Sequence, residues 1–356
     1  MTEKNALSLI EPLLADPQIN EILIDNHEHV YVEKQGQLQD IPSPFESEAQ
    51  VYALIEALTR PLGVTVNESR PFVELRLPDY SWVNIVIPPI ALSGPSLTIR
   101  KISARRLTLE DLLTFNCLSQ EMATFIRVCV EARCNILISG GTSSGKTTLL
   151  NIVARMIPLD ERIVLLQQEE SLILEYPRLV RLETRSANIH GQGEVNLREL
   201  VGNALRMRPD RILVTDICGG EVSDLITAMN SGYDGTLAAM HSNGPRDTID
   251  RLEMMASMGN PSLPLRALRE QIASALNLII HIERQKDGTR KVVQISEVTG
   301  IEDGVIVISD IFHFRQMGIA AGKITGAFTP TGIVPRFMPL IKDLTGIELD
   351  IFKPVE

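Results

Sequence analysis

Over the first hundred residues, apolar positions alternate with polar ones in short runs that turn residues interrupt. Glu21-Ile22-Leu23-Ile24 and His29-Val30-Tyr31-Val32 read as two strands, and Asp25-Asn26 supplies turn chemistry between them. Val73-Glu74-Leu75-Arg76-Leu77 alternates strictly, turns at Pro78-Asp79-Tyr80 and returns as Val83-Asn84-Ile85-Val86-Ile87. Leu97-Thr98-Ile99-Arg100 adds a further strand. Two helical periods accompany them. Leu7 to Ala15 is amphipathic, and Val51, Leu54, Ile55 and Leu58 share one face after a capping box at Ser47-x-x-Gln50. Pro61 and Gly63 stop that second helix. Hairpins with flanking helices imply an antiparallel sheet in an α+β domain over residues 1–101.

The period then changes. Residues 102–118 read as a linker with a short helix, because Thr108-x-x-Asp111 has the form of a cap before Leu112-Leu113. A helix follows with Met122, Phe125, Ile126, Cys129 and Val130 on one face. From residue 134 to about 283, strands and helices alternate, which implies a mainly parallel sheet. Strand candidates are Asn135–Ser139, Arg162–Leu166, Leu179–Leu182, Arg211–Val214 and Thr236–Met240; helices are expected from Lys146, Asn196, Gly220 and Pro245. Residues 119–356 form the second domain, and its last part, 284–356, is a strand-rich appendage carrying Val292–Val298 and Val305–Ile308. The fold class is therefore α/β, an antiparallel α+β domain followed by a mainly parallel core.

Composition narrows the class. A net charge of −11 and a pI near 5.2 argue against a broad nucleic-acid surface. Cys117, Cys129, Cys134 and Cys218 fit neither a zinc spacing nor a disulfide framework, and Cys129 and Cys134 read as core residues. No apolar run approaches the length of a membrane span, and Met1-Thr2-Glu3-Lys4-Asn5 lacks the features of a signal peptide. A cytoplasmic protein is expected.

The chemistry concentrates at Gly140-Gly141-Thr142-Ser143-Ser144-Gly145-Lys146-Thr147-Thr148, which has the form G-x-x-x-x-G-K-[ST]. A buried strand precedes it and a helix follows it, the context a phosphate-binding loop requires. Glycines let the backbone close round an anion, and successive N–H groups with the helix N-terminus supply partial positive charge. Lys146 is placed to reach the β- and γ-phosphates of ATP, and the Thr147 hydroxyl to hold Mg²⁺. In parallel sheets such chemistry collects at the carboxyl ends of the strands. Gln167-Gln168, Thr215-Asp216 and His241 stand at those ends.

Further landmarks resemble a family. Asn203-Ala204-Leu205-Arg206-Met207-Arg208-Pro209-Asp210-Arg211-Ile212-Leu213-Val214, then Gly219-Gly220-Glu221, then Met240-His241-Ser242-Asn243-Gly244-Pro245-Arg246-Asp247 with Arg251-Leu252-Glu253 resemble the type II/IV secretion-system traffic ATPases. Asn84-Ile85-Val86-Ile87-Pro88-Pro89, Leu268-Arg269-Glu270-Gln271-Ile272-Ala273 and Glu297-Val298-Thr299-Gly300 are similar to the CpaF/TadA-like branch that powers Tad-type (Flp) pilus assembly. The resemblance implies a RecA-like core and a cytoplasmic homo-hexamer, or a mixed ring with a paralogue. It implies ATP held between two domains and an inner-membrane platform protein as partner, with the ring attached peripherally to that membrane. It also implies that His241 senses the γ-phosphate. Arg76 and Arg100 are candidates for contacting the nucleotide across the domain cleft.

The chain departs from the family where hydrolysis is concerned. The usual Glu-Asp pair is Gln167-Gln168, with Glu169-Glu170 immediately after, and Glu169 is a candidate substitute acid. The usual Gly-Glu-x-Arg-Gly-Gly-Glu is Thr215-Asp216-Ile217-Cys218-Gly219-Gly220-Glu221, and the third residue within the phosphate loop, often Gly in relatives, is Ser143. The expected catalytic set is Asp216, Gln167, His241 and Glu169, with Thr147 and Asp216 on the metal. Gln has no carboxylate but can orient an attacking water, and Asp216 can accept its proton. The alternative expectation is a ring subunit that binds ATP with weak turnover or none.

Overall fold

A computed structural model describes residues 6–353, apart from 35–36, 79–80, 102–106, 169–171, 173, 186, 188–191 and 321. The chain divides into two compact units, Met1–Arg106 and Leu107–Glu356.

The first unit holds α1 (Glu11–Ala15), β1 (Ile19–Ile24), β2 (Val30–Lys34), β3 (Gln37–Ile41), α2 (Glu48–Thr59), β4 (Phe72–Arg76), β5 (Trp82–Val86) and β6 (Ser96–Arg100). All pairs are antiparallel, in the order β3-β2-β1-β6-β5-β4. Alternation explains the core. Ile22, Ile24, Val83, Ile85, Leu97 and Ile99 project to one face and cluster with Val51, Leu54 and Ile55 of α2. Strand β3 carries no such signal, because four of its five positions are exposed and nothing alternates. The capping box expected at Ser47 does not form. Ser47 occupies the N-cap in an extended conformation, but its side chain makes no cap bond. Gln50 turns instead to accept the Glu46 amide at 2.7 Å.

The second unit begins with α3 (Leu109–Thr114) and α4 (Gln120–Glu131). The Thr108–Asp111 capping box of α3 is complete in both directions. There follow β7 (Ile136–Gly140), α5 (Lys146–Ala154), β8 (Ile163–Gln167), β9 (Leu179–Glu183), α6 (Leu197–Ala204), β10 (Arg211–Ile217), α7 (Glu221–Met229), β11 (Leu237–His241), α8 (Pro245–Gly259) and α9 (Leu265–Ala275). The chain closes with β12 (Leu278–Arg284), β13 (Arg290–Glu302), β14 (Val305–Ala320), β15 (Lys323–Pro330) and α10 (Met338–Thr345). One nine-stranded sheet runs β15-β14-β13-β12-β7-β11-β10-β8-β9. It is parallel from β12 through β9 and antiparallel from β12 to β15. The strands after residue 284 thus extend the same sheet, and β12 seats the phosphate-loop strand β7 between two parallel neighbours.

Both faces of this sheet are covered, which is why its strands read as nearly continuous apolar runs. Ile136 and Ile138 of β7 face α4 and α5, with Phe125, Cys129, Leu149 and Leu150. Leu137 between them faces the opposite core of α6 to α9, with Val201, Val222, Ile249 and Ile272. The C-terminal segment returns to the first of these cores, where Phe337 and Phe352 pack on Phe125 with ring centroids 6.3 and 5.7 Å away. At the opposite end from the phosphate loop, Arg211 is fully buried. Its guanidinium donates to Glu161 Oε2 at 2.6 Å and to the Val130 carbonyl at 2.7 Å, so the buried charge is both paired and hydrogen-bonded.

Candidate functional site

Strand β7 delivers Gly140 to the start of the loop, where the backbone runs hard against β12. A Cβ on Gly140 would overlap the Ile282 carbonyl oxygen, so only glycine fits. Two residues of the loop take left-handed backbone angles, Ser143 at φ 57° and Gly145 at φ 103°. Positive and negative φ in succession turn neighbouring N–H groups toward one concavity, and the N-terminus of α5 opens into it. The cradle for an anion is therefore built from backbone.

Sheet order assembles the rest. His241 ends β11 directly beside Gly140, β10 lies next to β11, and β8 next to β10. The carboxyl ends of these strands bring His241, Asp216 and Gln167 to the same edge as the loop. The Lys146 ammonium donates to the Gly141 carbonyl at 2.8 Å and lies 3.1 Å from His241 Nδ1. An ammonium is only a donor, so Nδ1 accepts and the imidazole proton sits on Nε2. That nitrogen is 3.8 Å from Asp216 Oδ2, beyond hydrogen-bond reach. Burial pulls the Lys146 ammonium below its ordinary pKa against the opposing pull of Asp216. Burial likewise raises the Asp216 carboxyl, while His241 and Lys146 hold it down and Glu221 adds to the rise. Lys146 is buried and Asp216 half-buried, each close to a charge partner.

Asp216 sits where β10 departs from regular pairing, between Val214 and Ile217. Its Oδ1 is buried without a hydrogen-bond partner, and so are Ser144 Oγ and Gln167 Oε1. Leaving such atoms unmatched costs free energy unless a ligand answers them. Among the described residues no cluster of three His, Cys, Asp or Glu could hold a metal unaided. Mg²⁺ does not require one, since it is commonly held by one or two carboxylates with phosphate oxygens and water. The oxygen donors Asp216 and Thr147 fit that pattern. Gln167 is 2% exposed and continues the alternation of Ile163 and Leu165, which puts its side chain on the α5 face of the sheet. Thr215 follows Leu213 on the same face.

Beyond Asp216 the loop is held by a carboxylate. Glu221 Oε1 accepts the Cys218 and Gly219 amides at 2.8 and 2.9 Å, which fixes the turn into α7. Gln168 Nε2 donates to Cys218 Sγ at 3.0 Å, and burial raises the Cys218 pKa. The thiol therefore stays protonated at neutral pH and brings no charge. Arg208 adopts φ 53° at the end of the turn Leu205–Met207. Arg246 leans away from the loop, donating to the Ile306 carbonyl at 2.7 Å and pairing with Asp250 at 3.3 Å.

Glu169 lies outside the described residues. Arg76 and Arg100 belong to the first unit, in one cross-strand row Arg76–Trp82–Arg100–Glu21. The Arg76 guanidinium carbon is 5.3 Å from the centroid of the Trp82 ring, and Arg100 Nε is 3.4 Å from Glu21 Oε1. Two residues near the loop gave no sequence signal. His281 is buried on β12 with Nδ1 2.9 Å from Ser139 Oγ. Arg290, at the start of β13, reaches back across β12 to the loop, its Nε 3.3 Å from the Ser143 carbonyl. Only sheet order brings either one there.

Comparison with known proteins agrees with this geometry. Residues 3–327 match the family described as Type II/IV secretion system protein. A putative conjugal transfer protein of Mycobacterium tuberculosis is 32% identical over 318 residues, covering 88% of this chain and 90% of that protein. The type IV secretion system protein VirB11 of Brucella suis is 29% identical over 320 residues, covering 82% and 88%. Among solved structures, the ATPase DotB of Legionella pneumophila superposes with a TM-score of 0.55 at 20% identity over 82% of this chain and 79% of that one, a likeness of fold. No helix among the described residues is long and apolar enough to cross a membrane. With the family matched along most of its length and a phosphate cradle at the expected strand ends, the chain belongs to the type II/IV secretion system protein family.

Proposed function

We propose that the chain is an ATP-binding and ATP-hydrolysing subunit of a six-membered ring that powers Tad-like pilus assembly or type II/IV secretion. One observation carries the reading. Lys146, His241 and Asp216 meet in series at the mouth of a backbone anion cradle, at 3.1 and 3.8 Å. In the proposal Lys146 neutralises the β- and γ-phosphates, Thr147 and Asp216 hold Mg²⁺, and His241 registers the γ-phosphate. Mg²⁺ supplies electrostatic stabilisation of the charge on the transferring phosphoryl group. Asp216 accepts the proton of the attacking water and Gln167 orients that water, with Glu169 as a second carboxylate. Arg76 and Arg100 are retained as cationic candidates for the nucleotide phosphates. The secretion ATPase relatives, and the resemblance at Asn84–Pro89, Leu268–Ala273 and Glu297–Gly300, support a membrane platform protein as partner and a cytoplasmic ring.

The test is steady-state ATP hydrolysis by the purified protein, with its mass measured in the presence of ATP. Turnover from a sixfold assembly is expected. Intact ATP binding without detectable turnover would overturn the motor reading.

A second reading, a ring subunit that holds ATP without useful turnover, is favoured by Gln167 and by the protonated Cys218, which leave the site short of charge. Gln167→Glu separates the two. If the missing acid limits the reaction, this variant turns over faster than the wild type, on the order of tenfold, less than the roughly hundred- to ten-thousandfold of a fully positioned acid–base group. An unchanged or lower rate in the same assay shows that the site works by another route.

A further inference from the structure

We propose that Arg290 is a positioning residue for the phosphate loop, holding Ser143 and Gly145 in the left-handed conformations that aim the loop amides at a phosphate. The inference rests on the ATP-binding reading above and deepens it.

The need for such a group comes from Ser143. A residue with a β-carbon at φ 57° crowds the following carbonyl, so the conformation persists only when its surroundings fix it. Within the loop, the Ser144 amide bonds to the Gly141 carbonyl at 3.3 Å, and Lys146 bonds to the same carbonyl. Neither touches Ser143 itself. Its carbonyl receives Arg290 Nε at 3.3 Å. The same side chain covers the second left-handed residue, for a Cβ built on Gly145 would stand 3.2 Å from Arg290 Cδ. One arginine thus spans both positions that shape the cradle.

Arg290 can do this because its own backbone is fixed. It opens β13 opposite Arg284 of β12, across a hairpin closed by the Gln285 amide to the Thr289 carbonyl at 2.7 Å. Asp287 Oδ1 accepts the Thr289 amide at 3.0 Å and the Thr289 hydroxyl at 2.7 Å, which stiffens the turn. Strand β12 is itself paired with β7, so lever and loop share one sheet. A guanidinium offers a donor in a fixed plane at Nε, where a lysine has only a flexible stem.

If the bond to Ser143 is removed, the competent loop conformer is less populated and the apparent affinity for ATP falls by that fraction. Glycine at 143 takes the left-handed conformation without a β-carbon penalty, so it removes the need for the prop. Dissociation constants for Mg-ATP are to be measured on the whole chain for wild type, Arg290→Ala, Arg290→Lys, Ser143→Gly and the double variant Ser143→Gly/Arg290→Ala. Arg290→Ala and Arg290→Lys are expected to bind about fivefold more weakly, equal to about 1 kcal/mol. In the Ser143→Gly background, removing Arg290 is expected to change affinity by less than about twofold relative to Ser143→Gly itself, the non-additivity of two residues acting on one conformer.

Wild-type affinity in Arg290→Ala would overturn the proposal. Wild-type affinity in Arg290→Lys would do so as well, because charge rather than the Nε bond would then be what matters. A double variant about fivefold weaker than Ser143→Gly would overturn it too, and would indicate that Arg290 meets the nucleotide directly. A wild type that binds no ATP would overturn the ATP-binding reading and this inference together, an outcome distinct from the other three.

Discussion

Lys146→Ala is expected to lower kcat/KM for ATP hydrolysis about a thousandfold, close to 4 kcal/mol of transition-state stabilisation. ATP affinity should fall about tenfold or more in the same variant, as for loss of a charge-assisted hydrogen bond. The size of the effect follows from the setting. Lys146 is buried, its pKa is depressed by that burial, and its ammonium is already directed at the Gly141 carbonyl and His241 Nδ1. A cation held in low dielectric at the mouth of an anion cradle acts far more strongly than one in water. Alanine leaves the loop backbone unchanged, so a stable protein with no phosphate counter-charge is the expected result. ATP titration and a steady-state assay on the variant provide the check, and a loss in kcat/KM of less than tenfold would contradict the role given to this residue.

Asp216→Asn removes both roles proposed for this residue. The side chain keeps its size, but it can no longer take a proton and it bears no charge for Mg²⁺. Turnover is expected to fall about a hundred- to thousandfold, the usual contribution of a general base, with ATP affinity within about threefold of wild type. The pH dependence adds a second readout. Burial raises the Asp216 pKa above its ordinary value of 3.8, with His241 and Lys146 opposing the rise. The base is the deprotonated form, so the rate should decline as pH falls through that raised pKa. Read in kcat/KM, which reports the enzyme before Mg-ATP binds, the acidic limb therefore lies at higher pH than an exposed aspartate would give, and the Asn variant should lack it. A wild-type limb surviving in Asp216→Asn would transfer the base role to another group.

The sequence reading succeeded where local physics decides the outcome. The loop from Gly140 to Thr148 was legible because a phosphate cradle needs its glycines at fixed spacing between a strand and a helix. Strands β7, β8, β10 and β11 were legible because burial on both faces leaves their middles apolar, with polar residues at the ends. Strand β3 was missed because an exposed edge strand has nothing to alternate. Helix α9 and strand β12 were missed for another reason. Pro264 at the N-cap of α9 makes no side-chain cap bond, and only Leu276-Asn277 separates Ala275 from Leu278, too little for a visible boundary. At the site, Asp216, Gln167 and His241 were marked by their place at strand ends. Which of them touch was not, since the His241–Lys146 contact depends on β11 lying beside β7 and not on spacing in the chain. Arg290 lies 147 residues from Ser143 and becomes its neighbour only through the order of three strands.

The placement of these groups at the rim of a doubly covered sheet has a hereditary consequence. Gln167, Cys218 and His241 stand at or just past the last paired positions of their strands and Asp216 stands at the break in the pairing of β10, while the apolar residues that hold the sheet together lie further back. A lineage can therefore lose or regain turnover by single exchanges at the rim without ever producing a chain that fails to fold. Duplicate copies of such a gene can drift apart in chemical competence while remaining interchangeable in shape.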